Sequence, residues 1–396
     1  MGIHNYDKMY ETTKKRVRKA KTSERNKQLI LEMNDFLILE NLSKPRLIKY
    51  LEVLKTLSER LGKDFEQATE KDLKKLVGDI QQQNYSAWTK QTYKVILRRF
   101  YKWLKGTKDY PEIVSWISIR ISKSEKKLPS EGDLLNEKDI QKLLETAEHP
   151  RDKAFVSMLW ESGARIGEVG NLKIKNVVFD EYGTVITVQG KTGSRKIRLI
   201  ASTPFLATWV EVHHHKDNNA PLWINIGTRG HNKPMGYQNM GKTLQLLFKK
   251  AGINKKCNPH LFRHSRATFM ANHLTEFQMN QYFGWIQGSD MPATYVHMSG
   301  KEVDNAILKM NGFAVKAEEE ESKIQPIKCP RCDTINSNSN KHCLKCGGIL
   351  DIKVAMELQE EIEKRKKADD FMSKLLQDHD VQKLLMEKLK IHGGSF

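Results

Sequence analysis

The polar stretch from Ser122 to Asp133 is the feature that most constrains the fold, because it separates parts of the chain that must fold independently. The stretch reads SKSEKKLPSEGD, has no apolar periodicity and contains Pro129 and Gly132, which is typical of a linker. The chain has 396 residues, whereas single cores stop growing at roughly 250–300 residues. We therefore predict more than one domain.

Apolar spacing predicts the secondary structure on either side of this linker. Before it, helical spacing bounded by capping residues predicts helices over Ser23 to Glu40, Ser43 to Leu61, Thr69 to Gln82 and Ser86 to Lys105. After it, helices are predicted following Asn136 and from Pro150, then strands over Leu172 to Phe179, Val185 to Val188 and Ile197 to Ile200. Helices are expected again from Thr203 to about Met310.

The distribution of charge indicates a polyanionic partner. The chain has 67 Lys and Arg against 48 Asp and Glu, a net charge of +19, with +11 in residues 1–134, +8 in 135–313 and none in 314–396. Because no basic amphipathic helix with an exposed aromatic face stands out, nucleic acid is favoured over a membrane surface. The run from Lys14 to Lys21 could be a phosphate-contacting arm or a solvated face. No run approaches about 18 apolar residues, and the start lacks a secretory signal, so we expect a cytoplasmic, nucleoid-associated protein.

Three separated segments carry residues suited to phosphate chemistry. Arg165 follows a Gly-Ala step that ends a predicted helix, and Glu168 stands three positions later. The segment GKTG places Lys191 at a hairpin tip, and PHLFRHSRATFM places His260 and Arg263 one helical turn apart on one face. Taken singly, each pattern is more typical of a surface or packing residue than of an active site.

Their order along the chain changes this interpretation. After these segments come FGW, which contains Trp285, and ATYVHM, which contains Tyr295. An Arg, a hairpin Lys, His-x-x-Arg, Gly-Trp and a Tyr in this order resemble the tyrosine recombinases of the integrase and Xer type, over roughly residues 20–312. The resemblance implies a helical core-binding domain and a catalytic domain that together form a C-shaped clamp around duplex DNA.

The expected chemistry needs these residue types. Attack of a phenol on a phosphodiester builds negative charge on the nonbridging oxygens, which fixed cations can stabilise without a metal. Arg165 and Arg263 suit this role because a guanidinium stays charged and binds phosphate oxygens bidentately, and Glu168 is expected to orient Arg165. Lys191 would protonate the departing 5′-oxygen, and His260 would take or hold a proton near the nucleophile. Tyr295 would form a 3′-phosphotyrosyl bond, so resealing would require no ATP.

Trp285 departs from the commonest pattern of the family, in which many members have His. Its indole N–H could donate to a phosphate oxygen and its ring could support the tyrosine helix, but it cannot exchange protons; the alternative is a purely packing role. Tyr282 and Tyr237 are rival nucleophiles by residue type, although neither follows the Gly-Trp step. For His297, two residues after Tyr295, we expect a local hydrogen-bonding role.

Four of the five cysteines lie close together near the end of the chain. Cys329 and Cys332 are separated by two residues, ten residues follow, and Cys343 and Cys346 repeat the spacing before a Gly-Gly pair. Two such knuckles predict a closed tetrahedral Cys₄ site that resembles a small zinc ribbon, with structural zinc that would fold a segment poor in apolar residues. An iron–sulfur or redox site is the less favoured alternative. We expect His342 to be a bystander.

These patterns predict six parts along the chain. They are a helical core-binding (DNA-binding) domain (1–121), a linker (122–134), a tyrosine recombinase catalytic domain (135–313), an acidic linker (314–327), a Cys₄ zinc ribbon (328–350) and a helical tail (351–396). The predicted fold class is mainly α with a small antiparallel β-sheet, in which an α+β catalytic domain accompanies an all-α N-terminal domain and the ribbon. Cys257 is expected to be an ordinary thiol, and His213 to His215 the polar end of a helix.

The resemblance implies a site-specific DNA recombinase with no catalytic cofactor. Its expected partners are double-stranded recombination sites and further copies of itself, as a tetramer on paired sites, with or without accessory proteins. A type IB topoisomerase and a non-catalytic DNA-binding regulator are alternatives. The His-x-x-Arg spelling and the separate helical domain favour a recombinase over a topoisomerase, and the full set of Arg165, Lys191, Arg263 and Tyr295 disfavours a regulator. A zinc ribbon behind such a domain hints at an archaeal source or a mobile element.

Overall fold

The structure is a computed structural model that forms two compact units, Met1–Ser130 and Glu131–Phe396. The division falls inside the predicted linker, and the cysteine-rich segment belongs to the second unit. The residues described are 3–122, 125, 130–190, 192–228, 230–299, 307–308, 310–311, 326–329, 331–337, 340–348, 350, 364–365, 367–369, 371–373, 375–376 and 381–383.

The first unit is helical throughout its described residues. Its helices are α1 (Tyr6–Arg18), α2 (Glu24–Leu39), α3 (Lys44–Leu61), α4 (Glu70–Gln82), α5 (Ala87–Leu104) and α6 (Glu112–Ser115). The side chains of Ser23, Thr69 and Ser86 cap α2, α4 and α5 by accepting hydrogen bonds from N–H groups of the first turn. Helices α2 to α5 begin and end within one residue of the predicted bounds, and the side-chain caps account for the starts of α2, α4 and α5.

Helix α1 is absent from the prediction. Tyr10, Thr13 and Val17 form its buried face, which packs against α2 and α3. The basic run from Lys14 to Lys21 therefore ends a docked helix and is not a free arm, while most of its charged side chains are exposed.

The core of the first unit surrounds α3. This helix packs on α1, α2, α4 and α5, and its Leu51, Leu54 and Leu57 are at most 1% exposed. Full burial of each such side chain contributes about 1.5–3 kcal/mol. The first unit therefore has a hydrophobic core of its own.

The second unit combines helices with small antiparallel sheets, which confirms the predicted fold class. Its main elements are α7 (Glu137–Thr146), α8 (Pro150–Ser162), α9 (Ile166–Gly170), β1 (Val177–Asp180), β2 (Gly183–Gly190), β3 (Gly193–Leu199), α10 (Thr203–Glu211), α11 (Tyr237–Lys250), α12 (Pro259–Ala271), α13 (Glu276–Phe283), α14 (Met291–Ser299), β4 (Ile327–Lys328) and β5 (Ile335–Asn336). Strands β1, β2 and β3 form an antiparallel sheet in that order, and Gly190 lies opposite Gly193 at one end.

The predicted strand from Leu172 to Phe179 is wrong in its first half. Ile174–Asn176 forms a turn of 3₁₀ helix, because the Asn176 side chain accepts the Lys173 N–H at 2.8 Å. Strand β1 consequently begins at Val177. Asparagine favours such turns because its short side chain hydrogen-bonds to nearby backbone.

Helix α8 is the buried support of the second unit. Its Glu161 carboxylate accepts hydrogen bonds of 2.6, 3.0 and 2.7 Å from the backbone N–H groups of Ile200, Ala201 and Ser202. These bonds fix the segment between β3 and α10. Helix α8 also packs against α12, so the elements that carry the predicted site residues share one core.

Candidate active site

Arg165 is the N-cap residue of α9, three positions after the last residue of α8. Gly163 forms the turn between them with φ of 53°, and a Cβ there would lie 2.8 Å from a ring atom of Phe283, so the position requires glycine. The Arg165 Nη1 donates to Glu168 Oε1 at 3.0 Å, and its backbone N–H donates to Oε2. With 33% of its side chain exposed, Arg165 is both held in place and open to a ligand.

Arg195 was not among the predicted site residues, yet it binds the same carboxylate. Its Nη1 and Nη2 donate to the two oxygens of Glu168 at 3.1 and 2.7 Å, and its Nε donates to the Tyr282 carbonyl at 2.8 Å. Burial would raise the pKa of Glu168, but hydrogen bonds from Arg195 and Arg165 and the charge of Arg195 lower it. An ionised Glu168 thus joins two arginines, and Arg195 links β3 to the end of α13.

The β2–β3 hairpin reaches the same cluster. A Cβ at Gly190 would lie 2.6 Å from Glu168 Oε1, so glycine allows the hairpin to approach this closely. Thr192 donates its hydroxyl to the Gly284 carbonyl at 3.3 Å. Lys191 stands between these two residues and lies outside the described residues.

Helix α12 supplies the second arginine. Arg263 is 5% exposed and donates to the carbonyls of Gly163 at 3.1 Å and Phe283 at 2.9 Å. Its guanidinium carbon lies 5.1 and 5.3 Å from the ring centroids of Phe283 and Trp285. The two carbonyls occupy only part of the five N–H donors of a guanidinium, so Arg263 keeps donors for a phosphate oxygen.

The positive charge of Arg165 acts on the buried guanidinium of Arg263. Burial first, and the charge of Arg165 second, lower the pKa of Arg263 to about 10, so its guanidinium stays charged at neutral pH. His260 is exposed on the same helix, and partial burial followed by the charges of Arg263 and Arg165 lowers its pKa. Arg165 and Arg263 therefore form one electropositive group, and the lowered pKa of His260 keeps its imidazole mostly neutral beside them.

The hydroxyl of Tyr295 is buried beside α12. Tyr295, on α14, is 1% exposed, and its hydroxyl lies 2.8 Å from Nδ1 of His264, which was not among the predicted site residues. Burial raises the pKa of Tyr295, and the charge of Arg263 opposes that shift. The expected nucleophile is thus a protonated phenol at neutral pH, next to the electropositive group.

Trp285 packs against the ring of Tyr295. The two ring planes are inclined by 6° with centroids 5.5 Å apart, and Phe283 stacks on the tryptophan at 4.8 Å. Trp285 is 9% exposed. It supports the tyrosine helix, while a contact between its indole N–H and a phosphate stays a prediction.

The hydroxyl of Tyr282, the rival nucleophile, is engaged in a hydrogen bond to the backbone. Its hydroxyl donates to the Glu161 carbonyl at 2.9 Å, and burial raises its pKa to about 12. Tyr237 begins α11. The side chain of His297 lies outside the described residues.

The four cysteines converge as a tetrahedral site requires. All four sulfur atoms lie within 4.8 Å of one another, and the Cys329–Cys346 and Cys332–Cys343 pairs are 3.6 and 3.5 Å apart. Four thiolates about 2.3 Å from a zinc ion would be about 3.8 Å apart. The Arg331 N–H and the Asn336 amide donate to the sulfurs of Cys329 and Cys343, as groups around metal-bound thiolates do. The donor set fits zinc.

This cysteine cluster lies at the opposite end of the sheet from the tip of the β2–β3 hairpin. Strand β5 packs on α10, and a cavity of about 650 Å³ is lined by Cys332 and Leu344 on one side and by Phe179 and Gly183 on the other. Gly183 begins β2, whereas Gly190 ends it beside Glu168. Seven strand steps correspond to about 23 Å, so the cluster is remote from the arginines.

Among the residues that the structure describes, the other histidines and cysteines form no comparable group. His213 is buried, and its Nδ1 contacts the backbone of His215, while burial raises the pKa of Cys257 to about 11. In the part of the chain that the structure describes, the four clustered cysteines are the group of His, Cys, Asp or Glu that could hold a metal. Within that same part, no helix is long and apolar enough to cross a membrane.

Residues 133–302 match the model of the phage integrase family. Among curated proteins, the tyrosine recombinase XerA of Pyrococcus horikoshii is 26% identical over 289 residues, which cover 72% of this chain and 94% of that protein. This match reaches both units of the chain, whereas the family model covers only the second.

Two solved structures share the fold. The XerH site-specific recombinase in its post-cleavage complex with a palindromic difH substrate has a TM-score of 0.56 at 18% identity, covering 76% of this chain and 95% of that one. A lambda integrase tetramer bound to a Holliday junction has a TM-score of 0.53 at 15% identity, covering 66% and 78%.

Proposed function

We propose that the chain is a site-specific tyrosine recombinase that cuts and rejoins duplex DNA, because residues 133–302 match the model of the phage integrase family. The similar protein of Pyrococcus horikoshii is named a tyrosine recombinase, and the match covers 94% of its length. The residues that would perform the reaction in this chain are Arg165, Lys191, His260, Arg263, Trp285 and Tyr295.

The observation that carries the proposal is a buried cation beside a buried tyrosine hydroxyl. Among the residues that the structure describes, Glu168 pairs with Arg165 and Arg195, but no carboxylate pairs with Arg263, which is 5% exposed. A buried charge without a counter-ion is costly unless a ligand supplies one. A phosphodiester placed between Arg263 and Arg165 would supply that negative charge next to Tyr295.

The chemistry follows from this placement. The phenol oxygen of Tyr295 attacks the phosphorus, a 3′-phosphotyrosyl bond forms, and the bond to the 5′-oxygen breaks. Arg165 and Arg263 stabilise the charge that develops on the nonbridging oxygens, each through planar N–H pairs. Because the new ester conserves the energy of the broken one, the 5′-hydroxyl of a second strand can displace Tyr295 without ATP.

The leaving oxygen needs a proton. The hairpin brings Gly190 and Thr192 against Glu168 and Gly284, and Lys191 lies between these two residues in the sequence. Its ammonium would protonate the 5′-oxygen. The exposed His260 would hydrogen-bond a nonbridging oxygen and hold a proton there.

The four cysteines would hold a structural zinc ion. When bound, zinc would supply cross-links that fold a small segment, and four thiolates leave no open position for substrate. Its distance from the arginines along β2 supports a role in stability and not in cleavage.

The partners would be paired DNA sites and further copies of the chain. The similar XerH and lambda integrase structures are DNA complexes, one of them a tetramer on a Holliday junction. The net charge of +11 in residues 1–134 and +8 in residues 135–313 suits a protein that binds duplex DNA. We propose a tetramer that joins two recombination sites.

The first test is covalent capture of DNA. The chain is mixed with end-labelled duplexes that carry candidate sites, and adducts are resolved on denaturing gels. Tyr295→Phe should abolish the adduct while DNA affinity changes by no more than a few fold, because phenylalanine keeps the packing and removes only the nucleophile. Tyr282→Phe, the matched control, should still form it. An adduct that survives Tyr295→Phe, or that maps to Tyr282, would overturn the assignment.

A second readout separates the alternatives. Exchange of strands between two labelled sites is expected of a recombinase, whereas a type IB topoisomerase would only relax supercoils. A chain that binds DNA and never forms an adduct would be a regulator.

A further inference from the structure

A base must accept the proton of Tyr295 if this residue is to act as a nucleophile. The histidine that contacts its hydroxyl is not the histidine of the His-x-x-Arg motif. At 1% exposure, the phenol is shielded from water that could take its proton, and burial raises its pKa. The histidine of the His-x-x-Arg motif is His260, whereas the hydroxyl of Tyr295 lies 2.8 Å from Nδ1 of His264. His264 follows Arg263 directly, on the helix that packs on α14.

We propose that His264 is the catalytic base that accepts the phenol proton of Tyr295, a role that rests on the recombinase function proposed above. In cleavage, the proton moves from the phenol oxygen to Nδ1 as the oxygen attacks phosphorus, leaving an imidazolium and releasing the 5′-oxygen. In rejoining, the 5′-hydroxyl attacks, the phenolate departs and the imidazolium returns its proton. No proton is gained or lost by the site beyond the one exchanged at the 5′-oxygen.

The surroundings of His264 suit this role. Burial first, then the charges of His260 and Arg263, lower its pKa, so the imidazole is neutral and able to accept a proton at neutral pH. The groups that face it are His260 and Arg263 on its own helix and Tyr295 on α14. The two rings lie 5.8 Å apart between centroids and are tilted by 38°, an arrangement that aims Nδ1 at the hydroxyl.

His260 is placed for a different task. It is exposed, and its pKa responds to both Arg263 and Arg165, which puts it on the side of the expected phosphate. The two histidines thus have separate roles. His264 accepts the proton of the nucleophile, and His260 contacts the phosphate.

The test uses the full chain with a duplex nicked so that cleavage is irreversible, and measures single-turnover adduct formation from pH 5 to 9. Asparagine at position 264 can place an acceptor oxygen near the position of Nδ1 but cannot take up a proton. His264→Asn should therefore bind DNA normally and cleave about 100-fold more slowly at pH 7, within the range of a lost general base.

The shape of the pH profile distinguishes a base from a positioning group. The wild-type rate should fall as the pH drops through the lowered pKa of His264, because only the neutral imidazole accepts a proton. In His264→Asn that acid limb should be replaced by a rate that rises about tenfold per pH unit with the phenolate fraction. His260→Asn, the matched control on the same helix, should cleave slowly but retain the acid limb.

Rescue by a small molecule guards against a misfolded variant. His264→Ala should regain at least tenfold activity with added imidazole, and none with pyrazole, a ring of the same size and weaker basicity. If the wild type forms adducts while His264→Asn keeps both its rate and its acid limb, or if His260→Asn loses the limb instead, His264 is not the base. If the wild type forms no adduct, the recombinase proposal itself fails.

Discussion

At the scale of single residues, the candidate site is built from charges that neighbouring groups hold in fixed positions. Glu168 is held by Arg165 and Arg195, and Arg263 is held by two backbone carbonyls. A cation that is positioned before the substrate arrives loses little free energy in reorganising during the reaction. Lys191 lies outside the described residues, and its role stays a prediction.

Lys191→Ala tests whether this lysine is the general acid. Loss of one such group should slow cleavage by about 10²–10⁴. DNA whose bridging 5′-oxygen is replaced by sulfur has a leaving group with a pKa near that of a thiol, about 8.5, which departs without help. The variant should therefore cleave the sulfur-bridged duplex at nearly the wild-type rate, measured by single-turnover adduct formation.

Arg165→Ala is the control for this experiment. Its charge is needed on the nonbridging oxygens whichever group leaves, so sulfur should not restore its activity. Equal rescue of both variants, or of neither, would remove Lys191 from the general-acid role and make it one more phosphate contact.

Two site residues escaped prediction for different physical reasons. His264 stands in the segment that drew attention to His260 and Arg263, but its importance comes from Tyr295, which is 31 positions away and meets it only when α12 packs on α14. Arg195 resembles its neighbour Arg198, which pairs with Asp180 at the surface. The two-residue alternation of strand β3 is the signal that could have identified it, because Arg195 shares a face with the buried Ile197 and Leu199, whereas Arg198 lies on the other face.

At the scale of elements, the site depends on close approach between the hairpin and the turn after α13. Gly284 ends α13 with φ of 61°, and a Cβ there would lie 2.8 Å from Arg195 Nη1. Arg195 is hydrogen-bonded to Glu168 and to the Tyr282 carbonyl. It can therefore move away from an added Cβ only by losing contacts that join the hairpin to α9.

Gly284→Ala tests this coupling between elements. An alanine in the left-handed region costs about 1–2 kcal/mol, which corresponds to a decrease of about 2–8 °C in melting temperature for a unit of this size. Displacement of Arg195 should add a loss of cleavage of about tenfold to a hundredfold, since small misplacements of reacting groups are costly.

Gly252→Ala separates strain from contact. Gly252 has φ of 65°, and a Cβ added there would meet nothing within 4 Å, so its variant should lose similar stability in a thermal melt and keep its cleavage rate. Equal cleavage by the two alanine variants would mean that Arg195 does not couple the elements.

Elements with strong end signals were predictable, and those without them were not. Helices α2 to α5 have capping residues and regular apolar spacing, so their bounds follow from the sequence. Helix α1 buries only Tyr10, Thr13 and Val17 among many charges, and its docking on α3 is a tertiary effect. The Asn176 turn interrupts an apolar run that otherwise reads as one strand.

At the scale of the whole molecule, the sequence predicts the parts of the chain better than it predicts the contacts between those parts. The division between the two units falls inside the polar stretch, and the four cysteines of the repeated spacing lie close together in the structure. What the spacing could not reveal is that the cluster packs on α10 and faces the turn before β2. This docking suggests that metal binding stabilises part of the second unit.

Loss of zinc should therefore have a local and graded effect. Cys346→Ser should release about one zinc ion per chain, measured by elemental analysis, and should increase hydrogen exchange first in residues 327–350. Exchange should then rise in α10 and the β1–β2 turn, because these elements line the cavity that the cluster closes. Cleavage should stay within a few fold of the wild type, since about 23 Å of β2 separates this face from Glu168.

Cys257→Ser provides the matched control, because Cys257 is half-buried and lies outside the cluster. It should keep its zinc, its exchange pattern and its activity. Faster exchange confined to residues 327–350 in Cys346→Ser would mean that the ribbon only rests on α10 and contributes nothing to its stability. Complete loss of cleavage with α8 and α12 still protected would mean that the ribbon acts on the reaction itself, and the strand that runs from Gly183 to Gly190 would then be the route by which it reaches the hairpin.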